Sequence, residues 1–299
     1  MDKKSQIDLF GAVALTGFAL LLAFNQVVIK VTNGGLQPVF FAGLRSAGAV
    51  LCIWLWLRWR GIPLRFEPGT RVAGFAIGCV FSFEFLCLFI ALDLTAVSRA
   101  SVIFYSMPVW LAIMAHFILP NDKVTPIKAL GLGLALGGVA IAILTGAKGE
   151  GSFWGDLAAL GAAVGWAATA MLAKASSLSR VRPEIQLMWQ VGVSAPLLLI
   201  AAMFFGPFIR ELEPIHIVGL VFQIVVVVSA GFIFWLWLLS IYPASGVASF
   251  SFLSPVLTVG LGWLMLGEKV GPNLIAALVL VTLGILLINR PPKSRKTSA

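Results

Sequence analysis

Long apolar stretches separated by short polar gaps run along almost the whole chain. Ten of them fall at approximately 9–29, 38–57, 72–92, 97–119, 125–145, 154–174, 184–207, 215–240, 244–266 and 272–289. An α-helix rises about 1.5 Å per residue, so about 20 apolar residues cross the hydrocarbon layer of a bilayer. Each stretch therefore predicts a transmembrane helix, numbered here as spans one to ten. The gaps carry helix breakers: Asn33-Gly34-Gly35, Pro63, Pro120-Asn121-Asp122, Gly149-Glu150-Gly151, Pro183, Pro207, Pro243 and Gly271-Pro272. No gap is long enough to hold a soluble domain. The first stretch exceeds the roughly 7–15-residue core of a signal peptide and reads as a retained span.

Composition supports this reading. Of the 299 residues, 60% are hydrophobic and 11% charged, against about 25% charged in a soluble domain. Too few charges exist to wet the surface of such a chain, so most of it faces lipid. The net charge of +9 would suit nucleic acid, but the basic residues sit in the gaps rather than on one stripe with interleaved aromatics. Fifteen of the 21 lie in one alternate set of gaps, including Arg58, Arg60, Arg65, Arg71, Lys174, Arg180 and Arg182. Five lie in the other set (Lys30, Arg99, Lys148, Arg210 and Lys269), and Arg45 stands inside a span. The positive-inside rule then places both termini in the cytoplasm, as an even number of spans requires. The expected location is the inner membrane of a bacterium, and no nucleic-acid partner is expected. Cys52, Cys79 and Cys87 all lie in apolar runs and read as small hydrophobic residues.

The chain also repeats itself. Gly11, Ala14, Gly17, Ala23 and Lys30 recur at an offset of 144 as Gly155, Ala158, Gly161, Ala167 and Lys174. Pro38 answers to Pro183. Ser98, Pro108, Val109 and Leu119 recur at 147 as Ser245, Pro255, Val256 and Leu266, and Val124, Pro126 and Gly138 as Val270, Pro272 and Gly284. The repeats, 9–145 and 154–290, hold five spans each. An odd number inverts the second repeat in the membrane. Inverted repeats provide two related conformations, the architecture of alternating access with a substrate site near the midplane. The expected fold is therefore all-α and integral to the membrane, with ten spans in two inverted five-helix repeats.

Pro108-Val109 and Pro255-Val256 each follow a Ser/Ala-rich helix start and precede a leucine eleven residues on; the second copy continues Leu266-Gly267-Glu268-Lys269. With the small-residue helix that ends each half, this resembles the EamA branch of the drug/metabolite transporter superfamily over nearly the whole chain. The first copy departs from the pattern, with Pro120-Asn121-Asp122 where the Gly-Glu would stand. The resemblance implies ten helices in two inverted repeats and the movement of small metabolites, often outward. The Phe83-Glu84 pair is similar to bacterial aromatic amino-acid exporters of that superfamily, which implies an amino acid as cargo.

Charge within a span is expensive, which singles out Arg45 on span two and Glu84 on span three. Rise per residue puts both at similar depth. Two readings stand: an internal ion pair, or Arg45 for a substrate carboxylate with Glu84 for an ammonium group or a coupling proton. Neither has a charged counterpart in the second repeat, where Gln190 and Ala230-Gly231 occupy the related positions. Phe81 and Leu88 share the face of Glu84. Ser98, Ser101, Tyr105 and Pro108 form a stripe on span four, mirrored by Ser245, Ala248, Phe252 and Pro255 on span nine. Mid-span prolines free carbonyls that only protein or a wet cavity can satisfy, so both stripes are expected to face the centre. Pro108 and Pro255 are expected to kink their spans and let each half rock. Trp54, Trp56, Trp59 and Trp154 suit an interfacial belt, whereas Trp166, Trp189 and Trp235 lie deeper. The candidate substrate-binding set is Arg45, Phe81, Glu84, Ser101, Tyr105, Trp166, Trp189 and Phe252, suited to an apolar or aromatic solute with a small polar head. Gly131, Gly133, Gly137, Gly138 and Gly284 suit close helix packing or a homodimer.

Other functions lack their signatures. Asp93, Asp122 and Asp156 are isolated at span ends, without the acidic cluster a membrane transferase needs for Mg²⁺. His116 and His216 form no HExxH, and no P-loop is present. No catalytic residue, metal or cofactor is expected. A passive channel would show rings of charge or repeated carbonyl filters. A nucleotide-sugar or other phosphorylated-solute carrier would want several central basic groups, and only Arg45 qualifies.

Overall fold

The computed structural model describes residues 7–119, 123–146, 152–242 and 250–289. Apart from the isolated bridge between Leu36 and Ile209, the described residues form helices, turns and loops. Among the described residues, eight helices are long and apolar enough to cross a membrane, and Leu253–Leu266 and Pro272–Ile288 are shorter apolar helices. These are the ten spans, all-α as the hydrophobic pattern requires.

Several spans differ in detail from unbroken helices. Span four consists of two segments, Val97–Phe104 and Met107–Ile118. Pro108 sits in the first turn of the second, where the missing N–H forfeits no helical bond. The Ile103 carbonyl at the break accepts from the Ser106 hydroxyl at 2.6 Å, and Ser106 accepts from the Trp110 indole at 3.2 Å. Span nine begins with a 3₁₀ turn, Phe250–Phe252, followed by Leu253–Leu266 with Pro255 in its first turn. Span seven, expected to reach residue 207, ends at Ala202, because Gly206 takes φ 90° ahead of Pro207 and the intervening residues turn. Span eight is α-helical over Pro214–Phe222, π-helical over Gln223–Gly231 and α-helical again over Phe232–Ile241. There the Ser229 hydroxyl donates to the Ile224 carbonyl five residues back, at 2.8 Å. π-Helical turns are rare and concentrate at functional places.

Neighbour contacts arrange eight spans in a ring: one, eight, two, seven, three, six, four, nine and back to one. Exchanging each span for its repeat mate returns the same ring, as an inverted repeat demands. Spans five and ten pair beside it. A Cβ on Gly131 would stand 2.8 Å from the Gly284 carbonyl, and one on Gly138 2.8 Å from that of Ala277. Gly131, Gly138 and Gly284 therefore serve packing within the chain, while Gly133 and Gly137 have nothing within 4 Å.

The largest cluster of buried apolar side chains includes Ile29, Val39, Phe41, Phe89, Leu92, Val97, Ile103, Ala159 and Leu198. All lie in the half of the bundle away from the start of span one and the end of span ten. We call that half's surface the far face, and the other the terminal face.

Candidate functional site

The far face is closed by polar contacts between spans. Asn33 at the end of span one donates to the Phe89 carbonyl at 2.9 Å, and Lys30 to the carbonyls of Asp93 and Thr95, each at 3.1 Å. Arg210, in the loop between spans seven and eight, grips Asp93 through two bonds of 2.7 and 3.0 Å and also reaches the Asn33 carbonyl. Hydrogen bonding to Asp93 raises the Arg210 pKa further above its ordinary value, against the opposing effect of desolvation. Gln37 donates to the Ala202 carbonyl at 2.7 Å, and Phe40 stacks on Phe208. Buried Asp156 pairs with Arg99, whose guanidinium also donates to the Ala142 carbonyl. Gly267, with φ 66°, turns the chain so that Glu268 accepts from the N–H groups of Val97 and Ser98 at 2.6 and 2.8 Å. The glutamate of the Leu-Gly-Glu-Lys sequence thus caps span four, where the helix dipole favours an anion.

Below this closure lies a cavity of about 530 Å³, within the range of small-molecule sites. Its lining is mainly apolar and runs from the midplane towards the terminal face, including Leu15 and Phe18 of span one, Leu111 of span four, Trp235 of span eight and Asn289 beside span ten. Of the residues singled out from sequence, Arg45, Phe81, Glu84, Tyr105, Pro108, Trp166, Trp235 and Gln190 line it.

Ser101, Trp189, Phe252 and Pro255 do not line the cavity. Ser101 is buried within span four. Trp189 packs against Phe66 with ring centroids 4.5 Å apart and against Gly74 of span three, which leaves room for the indole. Phe252 joins the far-half core. The 3₁₀ turn that holds it shifts the helical register, and Ser254 faces the cavity instead. Ser98 is engaged by Glu268. Ser245, Ala248 and Asp122 lie outside the described residues.

Arg45 and Glu84 are only 5% and 3% exposed, yet they do not form an ion pair with each other; the ion pairs among described residues lie elsewhere. The Arg45 guanidinium lies 4.1 Å over the Phe85 ring and 5.7 Å from that of Phe89, and its Nε has no hydrogen-bond partner. Glu84 accepts from the Thr169 hydroxyl of span six at 3.1 Å. Trp166 stacks on Phe104 at 4.9 Å and meets Tyr105 edge-on at 6.2 Å. The cavity thus offers a cation and an anion, held apart on neighbouring spans, within an aromatic box.

Sequence reasoning passed over Asn25, Gln26, Thr169 and Ser254. The repeat contained a signal for two of them: Asn25 and Thr169 stand at the same offset of 144 that relates Lys30 to Lys174, and both line the cavity. Among the described residues, no group of His, Cys, Asp and Glu is placed to hold a metal.

The model of the EamA-like transporter family matches residues 9–144 and 153–290. The uncharacterized transporter YvbV of Bacillus subtilis (strain 168) is 29% identical over 295 residues, covering 95% of each chain. The uncharacterized transporter YoaV of the same organism is 24% identical over 288 residues, covering 93% of this chain and 95% of its own. A protein known from its crystal structure superposes with a TM-score of 0.65 and 21% identity, over 94% of this chain and 98% of its own. That last likeness is one of fold.

Proposed function

The chain belongs to the EamA-like transporter family, and on that premise we propose that it is an alternating-access exporter of small metabolites, chiefly amino acids with aromatic or other hydrophobic side chains. The observation that carries this reading is Arg45. A buried guanidinium with no carboxylate in direct contact is costly; Glu84 acts on it only through space, and stacking on Phe85 offsets part of that cost. A substrate carboxylate supplies the missing partner, and a planar guanidinium suits it through two parallel bonds. Glu84, held by Thr169, takes the ammonium group. Phe81, Phe104, Tyr105 and Trp166 enclose the apolar remainder.

The excess of basic residues in the gaps on the terminal face supports a cytoplasmic side for that face, in keeping with the inner membrane of a bacterium. The cavity lining runs towards it, which suits loading from inside and release outside. A nucleotide-sugar would leave its phosphates with one cation in the cavity, so a zwitterion fits better. No step in this cycle makes or breaks a covalent bond.

Uptake into liposomes of the purified protein, across amino acids and with and without a pH gradient, tests the reading. Arg45→Gln should lower kcat/KM for amino acids roughly thirty-fold or more, yet spare the corresponding amines. Absence of amino-acid flux under every condition would refute the assignment. Glu84→Gln should reduce flux or its dependence on the pH gradient; unchanged behaviour would assign Glu84 to structure.

A further inference from the structure

We infer that Gln190 is a second, uncharged substrate ligand, standing in the second repeat where Arg45 stands in the first. That difference gives the carrier a sided affinity, tighter for amino acids offered at the terminal face than for those offered at the far face. The inference deepens the alternating-access reading of the same cavity and rests on it.

Gln190 lines the cavity from span seven and is partly exposed. Its carboxamide makes no hydrogen bond with the described residues, and neither its oxygen nor its nitrogen is among the unpartnered atoms shut off from solvent. The other described glutamines are engaged. Gln37 and Gln186 donate to backbone carbonyls, Gln223 donates to Asn25, and Gln26 bonds with Tyr105. An open carboxamide in a mainly apolar cavity is available to a solute, and its two N–H groups suit a carboxylate.

The repeat fixes where Gln190 acts. Pro38 and Pro183 open spans two and seven, and Arg45 and Gln190 each stand seven residues on, about 10 Å along the helix. Span two starts at the far face and span seven at the terminal face. Arg45 therefore lies towards the closed end of the cavity, and Gln190 towards the terminal end. A solute loaded from the terminal face passes Gln190 and sets its carboxylate on Arg45, away from bulk water.

When the halves exchange conformations, Gln190 takes the closed end and Arg45 the open one. A carboxylate offered at the far face then meets a neutral amide in the protected position and a guanidinium beside water. Hydrogen bonds to a charged donor are roughly twice as strong as neutral ones, and water at the open end weakens the Coulombic part. Affinity at the far face is therefore the lower, which favours release there. The asymmetry sets half-saturation on each face and leaves the final concentration ratio to the driving gradient.

Half-saturation by phenylalanine, measured on vesicles holding the protein in each orientation, tests this. The unmodified protein should half-saturate at a concentration roughly five- to ten-fold lower from the terminal face than from the far face, the difference between a charged and a neutral hydrogen bond. Gln190→Arg should lower the far-face value by a similar factor, yet leave inhibition by phenylalaninamide, which lacks the carboxylate, unchanged. Gln190→Met, close in volume but without the amide, should raise the far-face value roughly two- to ten-fold. Equal values from the two faces in the unmodified protein would overturn the inference. So would parallel effects of Gln190→Arg on phenylalanine and phenylalaninamide, the mark of a shifted conformational preference, or an unaltered far-face value in Gln190→Met. In each of these cases phenylalanine flux survives and the amino-acid reading stands. Absence of amino-acid flux in the unmodified protein would defeat both.

Discussion

Gly161 and Gly17 hold the same place in the two repeats and meet different surroundings. A Cβ on Gly161 would stand 3.2 Å from the Cys87 sulfur, and one on nearby Gly165 3.0 Å from the Glu84 Cα, because span three lies tight against span six. A Cβ on Gly17 would meet nothing within 4 Å. At that level span eight meets span one through bulky rings, Phe18 stacking on Trp235 at 4.9 Å, rather than by close backbones, and span eight is wound as a π-helix where span three is a regular α-helix. The bonds that close the far face complete the contrast. One chain thus holds two conformations of one five-helix unit. On the proposed alternating-access reading, transport exchanges those conformations between the halves.

The strongest way to break the comparison is to bar one arrangement sterically. Gly165→Leu would drive a side chain into the backbone of span three, and overpacking of this kind costs about 1–3 kcal/mol. The expected outcome is a lower thermal unfolding temperature in detergent and a loss of flux of at least roughly ten-fold. Gly17→Leu should leave the unfolding temperature unchanged, since substitution at an open site moves stability by about 0.5 kcal/mol or less. Its flux should nonetheless fall, because the exchanged conformation brings span eight onto Gly17. Full flux in Gly17→Leu would mean that the halves do not exchange.

Glu268→Gln comes next. It removes the charge that caps span four, on hydrogen bonds of a class worth about 1.5–3 kcal/mol. Closure of the far face should weaken, read as faster modification of Ser101→Cys, in a background without the native cysteines, by an impermeant thiol reagent applied to that face. A change in modification of roughly ten-fold is expected.

How much of this was legible beforehand follows from what each signal measures. The apolar period and length located the spans, and the ordered repeat located mates such as Lys30 and Lys174 before any contact was known. Helical spacing shows which residues share a face but not what that face meets. For that reason Trp189 and Phe81 read alike, although Trp189 packs against Gly74 and Phe81 reaches the cavity. The 3₁₀ turn that ends at Phe252 and the π-helix in span eight break the helical period. Leu-Gly-Glu-Lys signalled a resemblance, but Glu268 binds the start of span four about 170 residues away, and no local pattern points there.

Lys30 and Lys174 sharpen the comparison at smaller amplitude. Lys30 is half-buried against the carbonyls that end span three, while its mate is exposed. A cation at a helix C-terminus contributes about 0.3–1 kcal/mol. Lys30→Met should therefore raise far-face modification of Ser101→Cys by roughly two- to five-fold. Lys174→Met should leave that rate unchanged and slow turnover instead, because the exchanged conformation brings Lys174 to the end of span eight. Equal effects of the two substitutions on modification would remove the distinction between the faces.

The smallest effect is expected at Asp93. Its two bonds to Arg210 join span three to the loop between spans seven and eight, but the pair is partly solvated, with side chains 20% and 39% exposed. Surface pairs of this kind are worth about 0.2–1 kcal/mol after screening. Asp93→Asn should thus raise far-face modification of Ser101→Cys by no more than roughly five-fold. Because the lost term is Coulombic, the gap between variant and unmodified protein should narrow as salt is raised from about 0.01 to 1 M, where the Debye length falls from about 30 to 3 Å. A gap independent of salt would assign the role of Asp93 to the paired hydrogen bonds it accepts from Arg210 rather than to its charge, and the closed face would then depend on hydrogen-bond geometry more than on Coulombic attraction.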